Sequence, residues 1–264
     1  MKRFIRAFPY VFFIIFSCAA AAYGFDVKGL QPLQPNGIFS TFSTSTNPAS
    51  RFATQFELEQ SINPTFYQVN SSVSFAVTDL IEASATIPYH MKTSESGFED
   101  IAIGIKYRFL EEEQYAPSVA ALVSGSVPSG RDVISTNGRI GGGLIFSKKI
   151  GPFKTHANMF VYSPFKQGLN AEVDFLLGAE LQAANNLSIL TEVLTKKSHN
   201  INKFDYLDWK IGYRFRPLDF LYTTLSAGYG FKTRNPDVRI FLSFTIIYPP
   251  AGKSIKRIYE EEKE

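Results

Sequence analysis

The sequence predicts an all-β protein, a transmembrane antiparallel up-and-down β-barrel of about 12 strands. Three observations lead to this prediction. Between residues 51 and 248, segments of about ten residues alternate apolar and polar side chains and are separated by turns. The turns alternate between short and longer connections, and aromatic residues cluster near the ends of the segments. These features are typical of a barrel whose strands face lipid on one side and a polar lumen on the other.

The amino terminus, residues 1–24, predicts a secretory signal peptide. Basic residues precede an apolar stretch at positions 8–16, small residues follow it, and we expect cleavage after Gly24. The only cysteine, Cys18, lies within this signal, in a segment slightly similar to a lipoprotein cleavage box from which the bulky Phe16 departs. Lipidation of Cys18 stays an open alternative. The mature chain is otherwise expected to have no thiol or disulfide chemistry.

The segments on either side of the predicted barrel lack sustained alternation. Residues 25–50 are rich in Gln, Pro, Ser, Thr and Asn, and two alternatives remain open for them: a plug inside the lumen, or a loose periplasmic extension. Residues 249–264 are predicted to form a periplasmic C-terminal tail, with a solvated run of glutamates at 260–262. The predicted β-barrel domain therefore covers residues 51–248.

The strands are predicted from a period of two. The clearest segment covers residues 66–78, where Tyr67 and Val69 point one way while Gln68 and Asn70 point the other. The same reasoning predicts strands near 51–62, 66–78, 81–90, 100–109, 117–127, 139–148, 153–163, 172–184, 187–197, 206–216, 220–232 and 237–248.

The connections provide a second test, because barrels of this kind have short periplasmic turns and longer outer loops. The predicted inner turns are at 79–80, 110–115, 149–152, 185–186 and 217–219, and the outer loops include 92–98, 128–138, 164–171 and 198–205. An even number of strands returns the chain to its starting side. We therefore expect both termini to be periplasmic.

Aromatic side chains near the strand ends predict two belts at the membrane interfaces. The outer belt contains Tyr89, Phe98, Tyr206 and Phe231, and the periplasmic belt contains Phe109, Phe153, Phe215, Phe220, Tyr222 and Tyr248. The alternative is a secreted or periplasmic β-sandwich, in which alternation marks a protein core. A sandwich needs neither a second aromatic belt nor an alternation of loop lengths.

If the apolar stripe faces lipid, the opposite stripe lines the lumen. One predicted wall is charged and contains Glu57, Glu59, Glu82, Asp100, Lys106, Arg108, Glu172, Asp174, Glu180, Glu192, Asp208, Lys210, Arg214 and Arg216. These groups either pair across the lumen and brace the barrel, or contact a solute.

A second predicted wall is small and neutral. It includes Leu122, Ser124 and Gly143, and together with Phe160 and Tyr162 it forms a weakly apolar track suited to a small aromatic or hydrophobic molecule with one polar group. The alternative is that the glycines only permit sharp bending of the strands.

The sequence predicts no catalytic residues, no metal site and no cofactor. Its histidines, His90, His156 and His199, are scattered and form no metal-ligand spacing. A lipid-modifying enzyme would need His90 or His156 beside a serine and a carboxylate near the outer leaflet. The formal net charge of +3 is too small to favour nucleic-acid binding.

Two short motifs resemble those of a known family. The segment 97–109 reads Gly-Phe-Glu-Asp and continues to Lys-Tyr-Arg-Phe, and 127–132 reads Val-Pro-Ser-Gly-Arg-Asp. These are similar to the Asp-containing approach, the Lys-Tyr-Arg strand and the Leu-Pro-Thr-Gly-like corner of the outer-membrane transporter family named for the meta-pathway of phenol degradation. The resemblance extends loosely over residues 66–248. It implies a barrel that transports small, often aromatic, compounds, and it supplies no catalytic residues.

The leading hypothesis is a monomeric, passive channel for small hydrophobic or aromatic solutes in the outer membrane of a Gram-negative bacterium. The expected partners are outer-membrane lipids, these solutes and the barrel-assembly machinery. The alternative is a closed structural or interaction barrel without transport, and a lipid-modifying enzyme is a third hypothesis.

Overall fold

A computed structural model describes residues 27–63, 65–92, 96–199, 202–232 and 238–249 of the 264 residues. The predicted signal peptide with Cys18 and nearly all of the predicted C-terminal tail lie outside this part of the chain. Within it, no helix is long and apolar enough to cross a bilayer.

The regular elements of the described chain are β-strands, apart from one 3-10 helix at Asp132–Ile134. The strands are β1 (Phe52–Ile62), β2 (Thr65–Ala76), β3 (Ile81–Met91), β4 (Gly97–Phe98), β5 (Ile101–Leu110), β6 (Ser118–Val127), β7 (Arg139–Ile150), β8 (Phe153–Pro164), β9 (Glu172–Ala184), β10 (Leu187–Lys197), β11 (Tyr206–Leu218), β12 (Leu221–Gly230) and β13 (Val238–Tyr248).

The sheet closes on itself. Each long strand pairs antiparallel with its neighbours in sequence, and β1 also pairs with β13, from Phe52 opposite Tyr248 to Ser61 opposite Arg239. The result is a closed ring of 12 strands, to which the two-residue β4 adds a short extra pairing with β3. Closure pairs the backbone groups that an open edge would leave exposed to lipid. The predicted fold class is confirmed.

A bulge separates β4 from β5. Residue Tyr89 of β3 lies opposite Phe98, whereas Thr86 lies opposite Ala102, so the register shifts by one residue between the two pairs. A bulge of this kind turns consecutive side chains towards the same face. Glu99 and Asp100, which lie between β4 and β5, are accordingly both buried, at 0% and 1% exposed.

The two faces of the sheet have opposite chemistry. In β1, Gln55, Glu57 and Glu59 are buried, whereas Phe52 and Phe56 are about half exposed. The same pattern of apolar residues outside and polar residues inside recurs around the ring. A water-soluble sandwich would show the reverse pattern, because its apolar face packs into the core. The outer surface is therefore suited to lipid.

The barrel has two distinct ends. We call the end that holds Arg51 and Tyr248 the terminal end, where β2 and β3 are joined by the turn 77–80 and β9 and β10 by 185–186. We call the opposite end the loop end, where β6 and β7 are joined by the 11 residues between Val127 and Arg139.

Candidate functional site in the barrel interior

Residues 27–50, which we call the inner segment, lie inside the barrel. The segment starts at the loop end, where Lys28 Nζ lies 2.8 Å from Glu59 Oε2 and the Lys28 backbone N–H donates to Glu99. It then crosses the lumen, since Leu33 packs with Ala53 and Ile247 at the terminal end. Most of its side chains are buried. The interior of the barrel is therefore filled.

This path separates the two ends of the described chain. Lys28 lies at the loop end and Tyr248 at the terminal end. The sequence placed both termini on one side, because an even strand count returns the chain to its starting side. That count does not include the additional crossing of the lumen by the inner segment.

A tight turn forms the centre of the inner segment. The Ile38 N–H donates to Thr41 O over 2.8 Å, and Gly37 bridges to Phe42. Gly178 of β9 makes room for this turn, because a Cβ atom at Gly178 would lie 2.7 Å from Ile38 Cδ1.

Two charged side chains hold this turn. Glu192 Oε2 accepts hydrogen bonds from Ser40 N, Thr41 N and Thr41 Oγ1, at 2.7, 2.7 and 2.8 Å. Arg214 donates to the backbone oxygens of Pro35 and Gly37. The sequence placed both Glu192 and Arg214 on the lumen stripe, but nothing in a period of two indicates that they bind backbone groups.

Neutral polar side chains hold the next residues. Asn158 exchanges two hydrogen bonds with the backbone of Phe42, one at 2.7 Å to its Oδ1 and one at 2.9 Å from its Nδ2. Thr44 contacts the hydroxyls of Ser118 and Ser147, at 2.6 and 3.0 Å. Asn158 and Ser147 were absent from the candidate residues, because an amide or hydroxyl on a lumen stripe carries no distinctive sequence signal.

Two more charged residues fix the end of the segment at the terminal end of the barrel. Lys106 Nζ donates to Ser45 O over 2.6 Å. Glu82 accepts a hydrogen bond from the Asn47 backbone at 3.3 Å. Glu82 and Lys106 also pair with each other at 3.1 Å, as register partners on β3 and β5. This pair braces two strands and anchors the segment at once.

Other interior charges form further ion pairs. Arg214 lies 3.1 Å from Glu180, and Lys210 lies 3.7 Å from Glu59. Arg239 joins Glu59 and Asp208 into the same cluster, and Arg139 lies 2.7 Å from Glu172. These side chains are nearly inaccessible to solvent. Pairing offsets part of the cost of burying each charge.

Two candidate arginines lie at the rim instead. Arg108 donates to Asp79 O at 3.1 Å and lies 3.6 Å from the exposed Glu111. Arg216 donates to Asn185 O at 3.1 Å. Both arginines therefore contact turns of the terminal end and lie outside the filled centre of the lumen.

The Asp100 carboxylate holds the loop 128–138 at the loop end through hydrogen bonds, and we call this arrangement the clasp. Its carboxylate accepts hydrogen bonds from Gly130 N, Ser135 Oγ, Thr136 N, Thr136 Oγ1 and Gly138 N, at 2.6 to 3.1 Å. Burial acts to raise the pKa of Asp100, but these donors outweigh it and hold the pKa below its ordinary value. The loop is drawn inwards, and Ser135 and Thr136 are buried.

The clasp also joins the two motifs of the family resemblance. Asp100 belongs to the first motif, and Gly130 belongs to the second. A Cβ atom at Gly130 would lie 2.8 Å from Asp100 N, so a side chain there would disturb the contact. Asp100 therefore has a structural partner in this state, rather than a free position on a lumen wall.

The neutral wall is packed rather than open. Leu122 is fully buried in an apolar cluster with Leu30 and Phe42 of the inner segment, and Phe42 meets Phe160 edge-on at 5.7 Å. Ser124 is also buried. The expected apolar track is occupied, because the inner segment supplies the apolar side chains that fill it.

Gly143 has a local reason to be glycine. A Cβ atom there would lie 2.8 Å from the ring of Phe160 and would also collide with the backbone of Met159. Its small size therefore allows β7 and β8 to approach closely. The alternative considered from the sequence was a different one, in which the glycines permit sharp bending of the strands.

His156 and His199 do not form the arrangement that the enzyme hypothesis required. His156 Nδ1 lies 2.7 Å from Ser147 Oγ, but this pair is buried beneath Thr44 in the half of the barrel near the terminal end. His199 lies at the loop end, 3.1 Å from Glu172. Burial lowers the pKa of His199, and Glu172 only partly offsets this effect. Among the described residues, no His, Cys, Asp and Glu cluster suits a metal ion.

No family model and no curated protein matches the chain. Solved structures do match its fold. The chain is similar to a structure titled KdgM porin, with a TM-score of 0.58 and 10% identity over 74% of this chain and 98% of that one. It is also similar to the NanC porin, with a TM-score of 0.54 and 7% identity over 74% and 98% of the two chains. The described chain therefore has the 12-stranded barrel fold of outer-membrane porins.

Proposed function

We propose that this protein is a passive outer-membrane channel for small solutes, closed in the present state by its inner segment. It acts as a monomer among the outer-membrane lipids of a Gram-negative bacterium, where the barrel-assembly machinery inserts it. One observation carries the proposal. The inner segment fills a porin-like barrel without joining its sheet, and side chains hold it through hydrogen bonds.

Such a segment can leave without breaking the barrel. The strand ladders remain complete, because the segment contributes no strand to the ring. Its hydrogen bonds can be replaced by bonds to water, so each contributes about 0.5–1.5 kcal/mol net, or about 1.5–3 kcal/mol where the partner is charged. Departure would leave a continuous lumen bordered by the charged residues and by the apolar cluster.

The apolar cluster supports small hydrophobic or aromatic solutes as the transported class. Leu122, Phe160 and Tyr162 lie in one apolar cluster with Leu30 and Phe42. The ring of Phe160 packs against the rings of Phe42 and Tyr162. If the inner segment leaves, these apolar surfaces face the lumen. A solute with a ring then replaces part of the burial that Leu30 and Phe42 provide.

Swelling of phospholipid vesicles tests this proposal. Vesicles containing the protein should admit phenylalanine faster than serine, since both are zwitterions that cross bare bilayers slowly. The Ser124→Phe variant should reduce phenylalanine entry, because a bulky side chain fills the neutral wall. The matched control is Ser71→Phe, which lies on the exposed outer face of β2 and should not change entry.

The second candidate is a closed structural or interaction barrel. The filled interior and its buried ion pairs favour this alternative. It predicts swelling no faster than in protein-free vesicles for both amino acids. That result would contradict the channel proposal.

A further inference from the structure

Glu192 is held in an unusual way at the centre of the lumen. It is 1% exposed, and its Oε2 atom accepts three short hydrogen bonds from Ser40 and Thr41. Its second oxygen, Oε1, is buried and accepts no hydrogen bond within the described chain. No lysine or arginine of the described residues forms an ion pair with it. The inner segment therefore supplies hydrogen-bond donors to Glu192, and these take the place of a cation.

The charges of the barrel explain why no cation is available. Each of the six buried lysines and arginines on the described strands lies within 3.7 Å of another carboxylate. The same strands bury eight carboxylates, namely Glu57, Glu59, Glu82, Glu172, Asp174, Glu180, Glu192 and Asp208. The strands thus bury two more carboxylates than lysines and arginines. Lys210 lies opposite Glu192 in the register of β10 and β11, but its ammonium group pairs with Glu59 and Asp208. In this arrangement, removal of the inner segment would expose Glu192 without an ion-pair partner.

An apolar pocket lies beside this carboxylate. Ile38 and Phe39 pack with Leu190 and Phe241, and the rings of Phe39 and Phe241 meet edge-on at 5.5 Å. Leu190 lies on the same face of β10 as Glu192, two positions away. The turn 38–41 therefore presents an aromatic group to the pocket and three hydrogen-bond donors to Glu192.

We propose that Glu192 binds the ammonium group of a small arylalkyl or alkyl amine when the turn 38–41 leaves, with the apolar part of that amine against Leu190 and Phe241. A primary ammonium group has N–H donors for the Oε2 atom that the turn vacates and for Oε1, which accepts no hydrogen bond within the described chain. Its positive charge also compensates the charge excess of the interior. This inference rests on the proposed channel function and names its substrate class.

The test is a reversal potential measured across planar phosphatidylcholine bilayers that contain the full-length protein. The first measurement has phenylethylammonium on one side of the bilayer and sodium on the other. In a second measurement, phenylacetate replaces chloride, because it is an anion of similar shape to the amine. We expect the wild-type protein to prefer phenylethylammonium over sodium, and to prefer both cations over phenylacetate. Neutral amine that crosses the lipid carries no current and does not disturb the ratio.

Two variants separate the binding role of Glu192 from a general loss of charge. Glu192→Gln should lower the preference for phenylethylammonium over sodium at least about tenfold, because a hydrogen bond to a charged group is lost. Glu192→Asp keeps the charge and should retain most of the preference. The matched control is Glu57→Gln, a buried carboxylate bonded by Asn70 and Gln55, which should change the ratio less than about twofold.

The outcomes separate this inference from the proposed function. Currents that show no preference for phenylethylammonium, or a preference unaffected by Glu192→Gln, would overturn the amine site and leave the channel intact. The absence of current in every folded variant would overturn the channel, and the amine site with it. Heat-dependent migration in gels identifies the folded variants.

Discussion

At the residue scale, the interior depends on pairs of buried charges whose partners are set by strand register. Glu82 and Lys106 face each other across β3 and β5, and both are nearly inaccessible to solvent. Sequence alternation places each of them inside the barrel. Their contact could not be predicted, because it depends on the register between two strands.

Replacing Lys106 with methionine should therefore destabilise the barrel. The change leaves Glu82 buried without its cation and also removes the bond to Ser45, so we expect a loss of about 3–5 kcal/mol in the free energy of unfolding. Urea unfolding in phospholipid vesicles measures this loss in the free energy of unfolding. The double variant Glu82→Gln with Lys106→Met should recover part of the loss. A single variant as stable as the wild type would contradict the bracing role.

At the scale of elements, the strands and the inner segment differ in how far the sequence predicts them. The strands follow from period two, and the predicted bounds of β9 and β10 agree with the structure. The inner segment has no period, and its contacts join distant positions such as Thr41 and Glu192. The bulge before β5 was also missed, because one extra residue changes the side on which Glu99 lies.

The Asn158→Ala variant tests how the inner segment is held. The substitution removes both hydrogen bonds to the Phe42 backbone and leaves Glu192 untouched, so the segment should leave the lumen more often. We expect a several-fold higher open probability in single-channel recordings, since two net hydrogen bonds are worth about 1–3 kcal/mol. An unchanged open probability would show that these bonds do not hold the segment.

The Asp100→Ala variant tests the clasp at the loop end. Five donors of the loop 128–138 lose their acceptor, so trypsin should cut after the exposed Arg131 at least several-fold faster. The control is Glu111→Ala, since the Glu111 side chain is exposed and lies near Arg108 at the other end of the barrel. Equal cutting rates in the two variants would contradict the clasp.

The clasp should also depend on pH. The folded pKa of Asp100 lies below its ordinary value of about 3.9, so the clasp contributes fully above that value. Its contribution is lost as the pH falls through the lowered pKa. Hydrogen exchange of Thr136 and Gly138 should therefore stay protected at mildly acidic pH and lose protection only at lower pH. Loss of protection near neutral pH would contradict this assignment.

At the scale of the whole molecule, the protein is a complete barrel around a second, inner layer of its own chain. The closed ring satisfies the hydrogen-bonding groups of the strand backbones, as the alternation predicts. The inner segment fills the lumen, and this was one of the two alternatives that the sequence left open for residues 25–50. The expected path along the neutral wall is filled in this state by Leu30 and Phe42. The proposed transport would therefore require movement of the inner segment.

A disulfide across the inner segment tests that requirement most directly. Thr44 and Ser118 are in contact through their hydroxyls at 2.6 Å, and the only native cysteine, Cys18, lies in the predicted signal peptide. Single-channel currents of the Thr44→Cys, Ser118→Cys double variant should be nearly absent when oxidised and should appear on reduction. The single Thr44→Cys variant should respond to neither treatment. Equal conductance of the oxidised and reduced double variant would contradict a channel that opens by movement of the inner segment.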